Sequence, residues 1–307
     1  MGVCGTYEPL FVIFLLSNQY VLSIIEVAES YTGTTESRSA SLPITRDLTL
    51  AYVVSLVIAL IMTVAAVIGL LFRTDIYPTD ELILSFVPVD LFHLVVGLPI
   101  LLGSMWLARR GKLIGLLCWP GALLYVLYSY ITNLIGVPFG VLFLPYLLLV
   151  TLSAYTTIGL VASIDGQAVR QWLTGVVPAK AAGGILVVLT SLFIVINVAN
   201  IVTALASQTP DDALGRICVW IADFTAVIPA CLVGGLLLWR REALGYVGGV
   251  GLLLQYSLLL AGAIPCMVFP ALYNVSPIDV TGIVLVLVWG VMCFIPFVLF
   301  VRGIVRS

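Results

Sequence analysis

Eight predominantly apolar stretches, at 48–72, 84–108, 113–135, 139–162, 181–205, 216–239, 244–265 and 279–301, constrain this chain more than any other feature. Each is long enough to cross a hydrocarbon core ~30 Å thick at about 1.5 Å per helical residue. Lipid offers no partner to backbone N–H and C=O groups, so spanning segments must satisfy themselves as helices or as a closed barrel. None of the stretches alternates apolar and polar residues as barrel strands do. The expected class is therefore an all-α membrane protein of eight transmembrane helices. Only 9% of the residues are charged and 62% are hydrophobic, against about a quarter charged in a soluble domain. Too little polar surface exists to coat a particle in water, and the partner this implies is the lipid bilayer. With a formal net charge of -2 and no basic stripe, nucleic acid is not an expected partner.

Basic residues set the orientation. Placing the segment before the first stretch inside makes Arg38, Arg46, Arg109, Arg110, Lys112, Arg170, Lys180, Arg240, Arg241, Arg302 and Arg306 cytoplasmic. Only Arg73 and Arg216 then fall outside, each near acidic loop residues. Cytoplasmic flanks of membrane helices carry the excess of Lys and Arg, so both termini are expected in the cytoplasm and the chain in the cytoplasmic membrane.

Residues 1–47 read as an N-terminal segment and flexible linker. Positions 9–25 are apolar but broken by Ser17, Asn18 and Gln19, which leaves an extra helix there open; the Ser/Thr-rich run 28–47 shows no apolar period. Six scattered cysteines form no CxxC pair, and one histidine is present, so a cysteine-based metal or redox centre is not expected. A Cys218–Cys266 disulfide stays open, since both fall near the outer face.

An internal duplication is legible. PTDEL (Pro78–Leu82) meets PDDAL (Pro210–Leu214), Asp90 meets Asp223, and LPILLGSMWLARR (Leu98–Arg110) meets IPACLVGGLLLWRR (Ile228–Arg241). Gly115, Gly121 and Tyr125 meet Gly245, Gly251 and Gln255, at offsets between about 130 and 133. Two four-helix repeats follow, 48–162 and 181–307, joined by a cytoplasmic connector 163–180. An even number of spans in each makes them parallel repeats. The pairs Gly111/Gly115 and Gly245/Gly249 are expected to let helices approach closely. The segments LARRGKLIGLLCWPGALLYVLYSY (Leu107–Tyr130) and LLLWRREALGYVGG (Leu236–Gly249) resemble a group of uncharacterised prokaryotic multi-pass membrane proteins. That resemblance covers most of 48–301 and implies a prokaryotic inner membrane; it lends no catalytic residues.

Charged groups inside a span are costly and so point to function. Asp90 lies roughly 12 Å below Leu82 along its helix, and His93 follows one turn deeper on the same face. Asp223 lies roughly 10 Å below Arg216, and Asn197 with Asn200 roughly 8–12 Å below the outer end of the fifth stretch. Tyr128 and Asn133 line the outer half of the third stretch; Gln255 falls near the midplane. Asp90, His93, Asp223, Asn197, Asn200, Tyr128 and Gln255 are therefore the candidate ligand- or proton-binding residues, around a pocket open to the outside. Prolines 88, 99, 120, 229 and 296 can kink the helices that carry them.

No phosphate-binding loop, GxSxG, HExxH or dinucleotide fingerprint is present. No catalytic residue, metal or cofactor is assigned. The expectation is a small-solute or proton-linked transporter, with a small-molecule or cation ligand. Two alternatives stand beside it: a sensor, binding module or subunit of a membrane complex, and an intramembrane enzyme acting on lipid or quinone through Asp90 and His93. A partner in an oligomer or larger complex fits the second of these.

Overall fold

The computed structural model describes residues 42–207, 214–273 and 277–306. The segment 9–25, most of the linker 28–47 and most of the PDDAL turn lie outside the described residues. Eight helices are long and apolar enough to cross a membrane: Thr49–Leu71, Asp80–Arg109, Leu113–Gly136, Phe143–Ala162, Ala179–Ala206, Arg216–Trp239, Ala243–Leu272 and Val280–Val305. They are called spans 1 to 8 below, and they follow the eight apolar stretches of the sequence closely. No strand is found among the described residues, as expected where every backbone group must find its partner within its own segment.

Even-numbered spans end at one face of the bundle, and contacts there tie distant segments together. Thr45 donates its amide to the Ser163 carbonyl at 2.9 Å, and Asp165 donates to Pro43 at 2.8 Å, so the chain entering span 1 lies against the exit of span 4. Asp165 then caps the short helix Gly166–Leu173 by accepting from the amides of Gln167 and Ala168. Asp47 accepts from the amide and hydroxyl of Thr49, and these bonds hold its carboxylate below its ordinary value. Arg109, Arg110, Lys112, Arg170, Lys180, Arg240, Arg241 and Arg302 gather at this arginine-rich face. A cavity of about 490 Å³ opens here between the turn Gly175–Pro178 and Leu299, Arg302 and Gly303 of span 8. The opposite face carries Asp75, Asp80, Glu81 and Asp279.

Spans 3 and 7 form the centre and cross where Gly121 meets Gly251. A Cβ on Gly121 would collide with the Gly251 carbonyl, so only two glycines allow the backbones this close. Trp119, next to the crossing, is fully buried and donates from Nε1 to the Ser55 hydroxyl at 3.0 Å. Outward faces carry exposed apolar side chains, such as Val284, Leu285, Val288, Val291 and Ile295 on span 8. In water such a surface would be a liability; in lipid it is the wetted surface.

Two helical hairpins at the arginine-rich face have the same build. Lys112 donates to Leu107 and Gly111 to Ala108, both at 3.0 Å; Glu242 donates to Leu237 at 2.9 Å and Arg241 to Leu238 at 3.0 Å. These are paired terminal bonds around a left-handed residue, the usual way a helix satisfies its last carbonyls. The left-handed residue is Gly111 at φ 75° in one and Arg241 at φ 60° in the other. Gly111 meets no atom that a Cβ would strike: it serves the turn, and the helix-packing role expected of it falls to Gly115, which sits against the backbone of Leu107 and Ala108. Gly245 does the same against Leu237 and Leu238, and Gly249 packs on the Leu238 side chain.

Candidate functional site

Spans 2 and 6 each contain one wide turn, and those turns carry the site. In span 2 the wide turn is His93–Gly97, closed by the Leu98 amide reaching the His93 carbonyl. In span 6 it is Asp223–Val227, closed by Ile228 reaching Asp223. Pro99 and Pro229 follow directly. A proline has no N–H to return to the preceding turn, and its ring clashes with the carbonyl four residues back. One extra residue in the turn relieves that clash, and such widened turns recur at functional sites because they re-aim side chains. The turns, the following helices and the hairpins repeat at a constant spacing of 130: 93 to 223, 98 to 228, 111 to 241 and 113 to 243. At that spacing Asp223 stands opposite His93, not opposite Asp90 as the sequence pairing had it.

Asp90 lies one turn before His93, about 15 Å along the helix from Asp80 at 1.5 Å per residue, and is 1% exposed. Its Oδ2 accepts a 2.6 Å hydrogen bond from the Tyr77 hydroxyl. Tyr77 belongs to the connection between spans 1 and 2 but folds inward and is fully buried. Burial, with the Asp90 carboxylate beside it, pushes the Tyr77 hydroxyl well above its ordinary range, so it remains a donor. Room for the pair comes from Gly69 of span 1, where a Cβ would strike both the Asp90 carboxylate and the Tyr77 hydroxyl. His93 Nδ1 lies 3.9 Å from Asp90 Oδ1, too far for a hydrogen bond. The imidazole stacks on Tyr130 at 5.0 Å and meets the edge of Tyr125 at 5.8 Å. Both its nitrogens are buried without a hydrogen-bond partner, as are both amide atoms of Asn133 and the Tyr146 hydroxyl. Tyr146 faces Tyr77 and Asn133. Asn133, Tyr146, Tyr77, Asp90 and His93 thus form one polar cluster in which Tyr77 to Asp90 is the hydrogen-bonded link, and every member belongs to spans 1 to 4 or their connections.

Asp223 is 2% exposed and has a different set of neighbours. The Tyr128 hydroxyl and the Asn197 amide face its carboxylate, and Tyr256 and Cys218 lie within its electrostatic reach. Asp223 Oδ2 is buried with no hydrogen-bond partner. Asn197 also donates to the Phe193 carbonyl at 3.2 Å. Tyr128 comes from span 3, Asn197 from span 5 and Tyr256 from span 7, so this site straddles the two groups of four spans.

Of the seven side chains singled out in the sequence, Asp90 and His93 come together, and Asp223 meets Tyr128 and Asn197. Gln255 is fully buried, with neither amide atom partnered. Asn200 is exposed and joins neither group. Asp90 and Asp223 have separate partners and do not share one hollow. The polar layer is packed shut: five of the seven (Asp90, His93, Asn197, Asp223 and Gln255) are buried. Tyr77, Tyr146, Tyr256 and Gly69 were not picked out from the sequence. Tyrosines near a span end read as interfacial belt, and a glycine next to a carboxylate leaves no pattern. No disulfide joins Cys218 to Cys266. Among the described residues, no three His, Cys, Asp or Glu side chains converge as metal ligands.

Eight apolar helices around a buried polar layer define the class: a polytopic, multi-pass helical membrane protein. No protein family, curated protein or solved structure matches the chain.

Proposed function

We propose that this protein is a proton-linked transporter of a small solute in the cytoplasmic membrane, with the arginine-rich face inside. Asp90 and Asp223 are the groups that take up and release protons, and His93 is the partner of Asp90. The observation that carries the reading is two carboxylates buried within spans, Asp90 against the Tyr77 hydroxyl and Asp223 against the Tyr128 hydroxyl and the Asn197 amide, and neither against Lys or Arg among the described residues. An ionised carboxylate buried without a cation costs several kcal/mol. Each must therefore carry a proton or hold a positive charge, and switching between these states is what coupling requires.

The recurrence at 130 residues supports a further part of the reading: two parallel four-helix repeats, 48–162 and 181–307, pivoting where Gly121 crosses Gly251. Parallel repeats related by an axis along the membrane normal are one of the arrangements transporters use.

Proteoliposomes containing a trapped pH indicator test the proposal. An imposed pH gradient drives proton movement in wild type, and Asp90→Asn and Asp223→Asn each abolish it while the purified protein still elutes as one species. Infrared difference spectra between acid and alkaline pH give a protonated-carboxyl band that loses one component in each variant. Neither flux nor that band in wild type overturns the reading. The closed packing of the polar layer favours a second reading, a sensing module or complex subunit, which predicts no flux and co-purification of a partner through the arginine-rich face.

A further inference from the structure

The two buried carboxylates differ in how a negative charge on them is balanced. Asp90 has His93 at 3.9 Å, so a proton resident on either leaves the pair neutral overall. Asp223 has no such companion: Tyr128 and Asn197 face it, Cys218 and Tyr256 lie within its electrostatic reach, and no Lys, Arg or His faces it among the described residues. Its Oδ2 is buried and unpartnered, and the Tyr256 hydroxyl is unpartnered too. The site thus offers one full negative charge, an open acceptor oxygen and two phenol rings.

We propose that Asp223 anchors a binding site for a compact monovalent cation of the ammonium class, held where spans 3, 5, 6 and 7 meet. The ammonium N–H groups donate to Asp223 Oδ2 and to the Tyr256 oxygen, and the rings of Tyr128 and Tyr256 supply the electron-rich faces that attract such a cation. A divalent ion does not fit, because hard divalent cations gather six or more oxygen ligands, and the single carboxylate here balances one charge. Because Tyr128 comes from the first four spans and Asp223 from the second, the bound cation bridges the two groups. As the substrate of the transporter this cation rests on the function proposed above; as a bound ligand it does not.

The test is thermal unfolding and calorimetric titration of the full chain in detergent, with ammonium, methylammonium, sodium and potassium chlorides at constant ionic strength. Methylammonium or ammonium raises the wild-type Tm saturably, and Asp223→Asn weakens that response at least ~10-fold. Should Asp223→Asn fail to fold, Tyr256→Phe, which keeps the ring but removes the second acceptor oxygen, weakens the response ~3-fold or more. Micelles doped with phosphatidylethanolamine form a separate arm: a shift there and none with free amines assigns the site to a headgroup amine. No saturable response in wild type, an equal response in Asp223→Asn, or a stronger response to sodium or potassium overturns the proposal. A response without flux in liposomes removes the transport reading and leaves the site; flux lost in Asp90→Asn with no cation response does the reverse.

Discussion

The Asp90 site and the Asp223 site sit on the same scaffold and solve opposite problems. Asp223 opens a wide turn and Asp90 lies one turn before one, each ahead of a proline in a helix that ends in a double-arginine hairpin. Asp90 is enclosed by its own four spans, hydrogen-bonded at 2.6 Å and backed by an imidazole. Asp223 reaches across to span 3 for Tyr128, and one of its oxygens has no partner. A carboxylate with its balancing group built in can hold or pass a proton without moving the bundle. One completed by the other group of spans responds to how the two groups sit. The two helices are built alike, and the local partners decide what each aspartate does.

That comparison can be broken at its base by Gly121→Val. A side chain there meets the Gly251 backbone, which cannot yield as a flexible side chain can. The cost is at or above the ~3 kcal/mol upper end of ordinary overpacking. Both sites should fail together, read as loss of the folded species by size exclusion and of the cooperative melting transition. Gly69→Ala is narrower. Its methyl strikes the Asp90 carboxylate and the Tyr77 hydroxyl, so a loss of about 1–3 kcal/mol should fall on the first site while the cation response at Asp223 survives. If both sites are lost equally, they are not separate units.

Hydroxyl deletions sharpen the contrast further. Tyr77→Phe removes the 2.6 Å donor from a buried carboxylate and should destabilise by about 1–3 kcal/mol, the cost of leaving a buried polar group unsatisfied. Tyr128 is only partly buried, and Asp223 keeps Asn197, so Tyr128→Phe should cost about 0.5–1.5 kcal/mol. Thermal melts of the two variants side by side give the order, and a reversal would mean that Asp223 depends on its cross-bundle partner more than Asp90 depends on Tyr77.

Much of the fold was readable because a membrane span is a length signal: about 20 apolar residues are needed whatever they pack against. The site was readable in part. Asp90, His93 and Asp223 stand out because charge within a span is rare, and His93 does sit one turn from Asp90. Matching Asp90 with Asp223 requires gaps in the sequence, whereas Pro99 with Pro229 and Gly111 with Arg241 share the spacing of 130 found between the two wide turns. Asn200 was placed with Asn197 by the three-residue rule, yet three residues turn a helix by about 300°. Span 5 is lightly buried, so its inward stripe is too narrow to take both. The role of Tyr77 depends on a chain reversal that folds the loop between spans 1 and 2 inward, and that of Tyr146, in span 4, on facing that loop residue; periodicity carries no trace of either.

The hairpin turns give the smallest effect and the cleanest test of equivalence, since neither touches a carboxylate. Gly111 occupies φ 75° freely, whereas Arg241 holds φ 60° with a side chain attached, a conformation that costs a non-glycine residue about 1–2 kcal/mol. Arg241→Gly relieves that cost but frees the unfolded chain, which returns roughly 0.4–1 kcal/mol. A net gain of about 0.5–1 kcal/mol is expected, and Gly111→Arg should lose a similar amount. Equal and opposite shifts in melting temperature would mean that the two turns are energetically one structure, differing only in the residue that fills the left-handed position. A loss in Arg241→Gly would mean instead that the Arg241 side chain has a job at that face which outweighs its backbone strain.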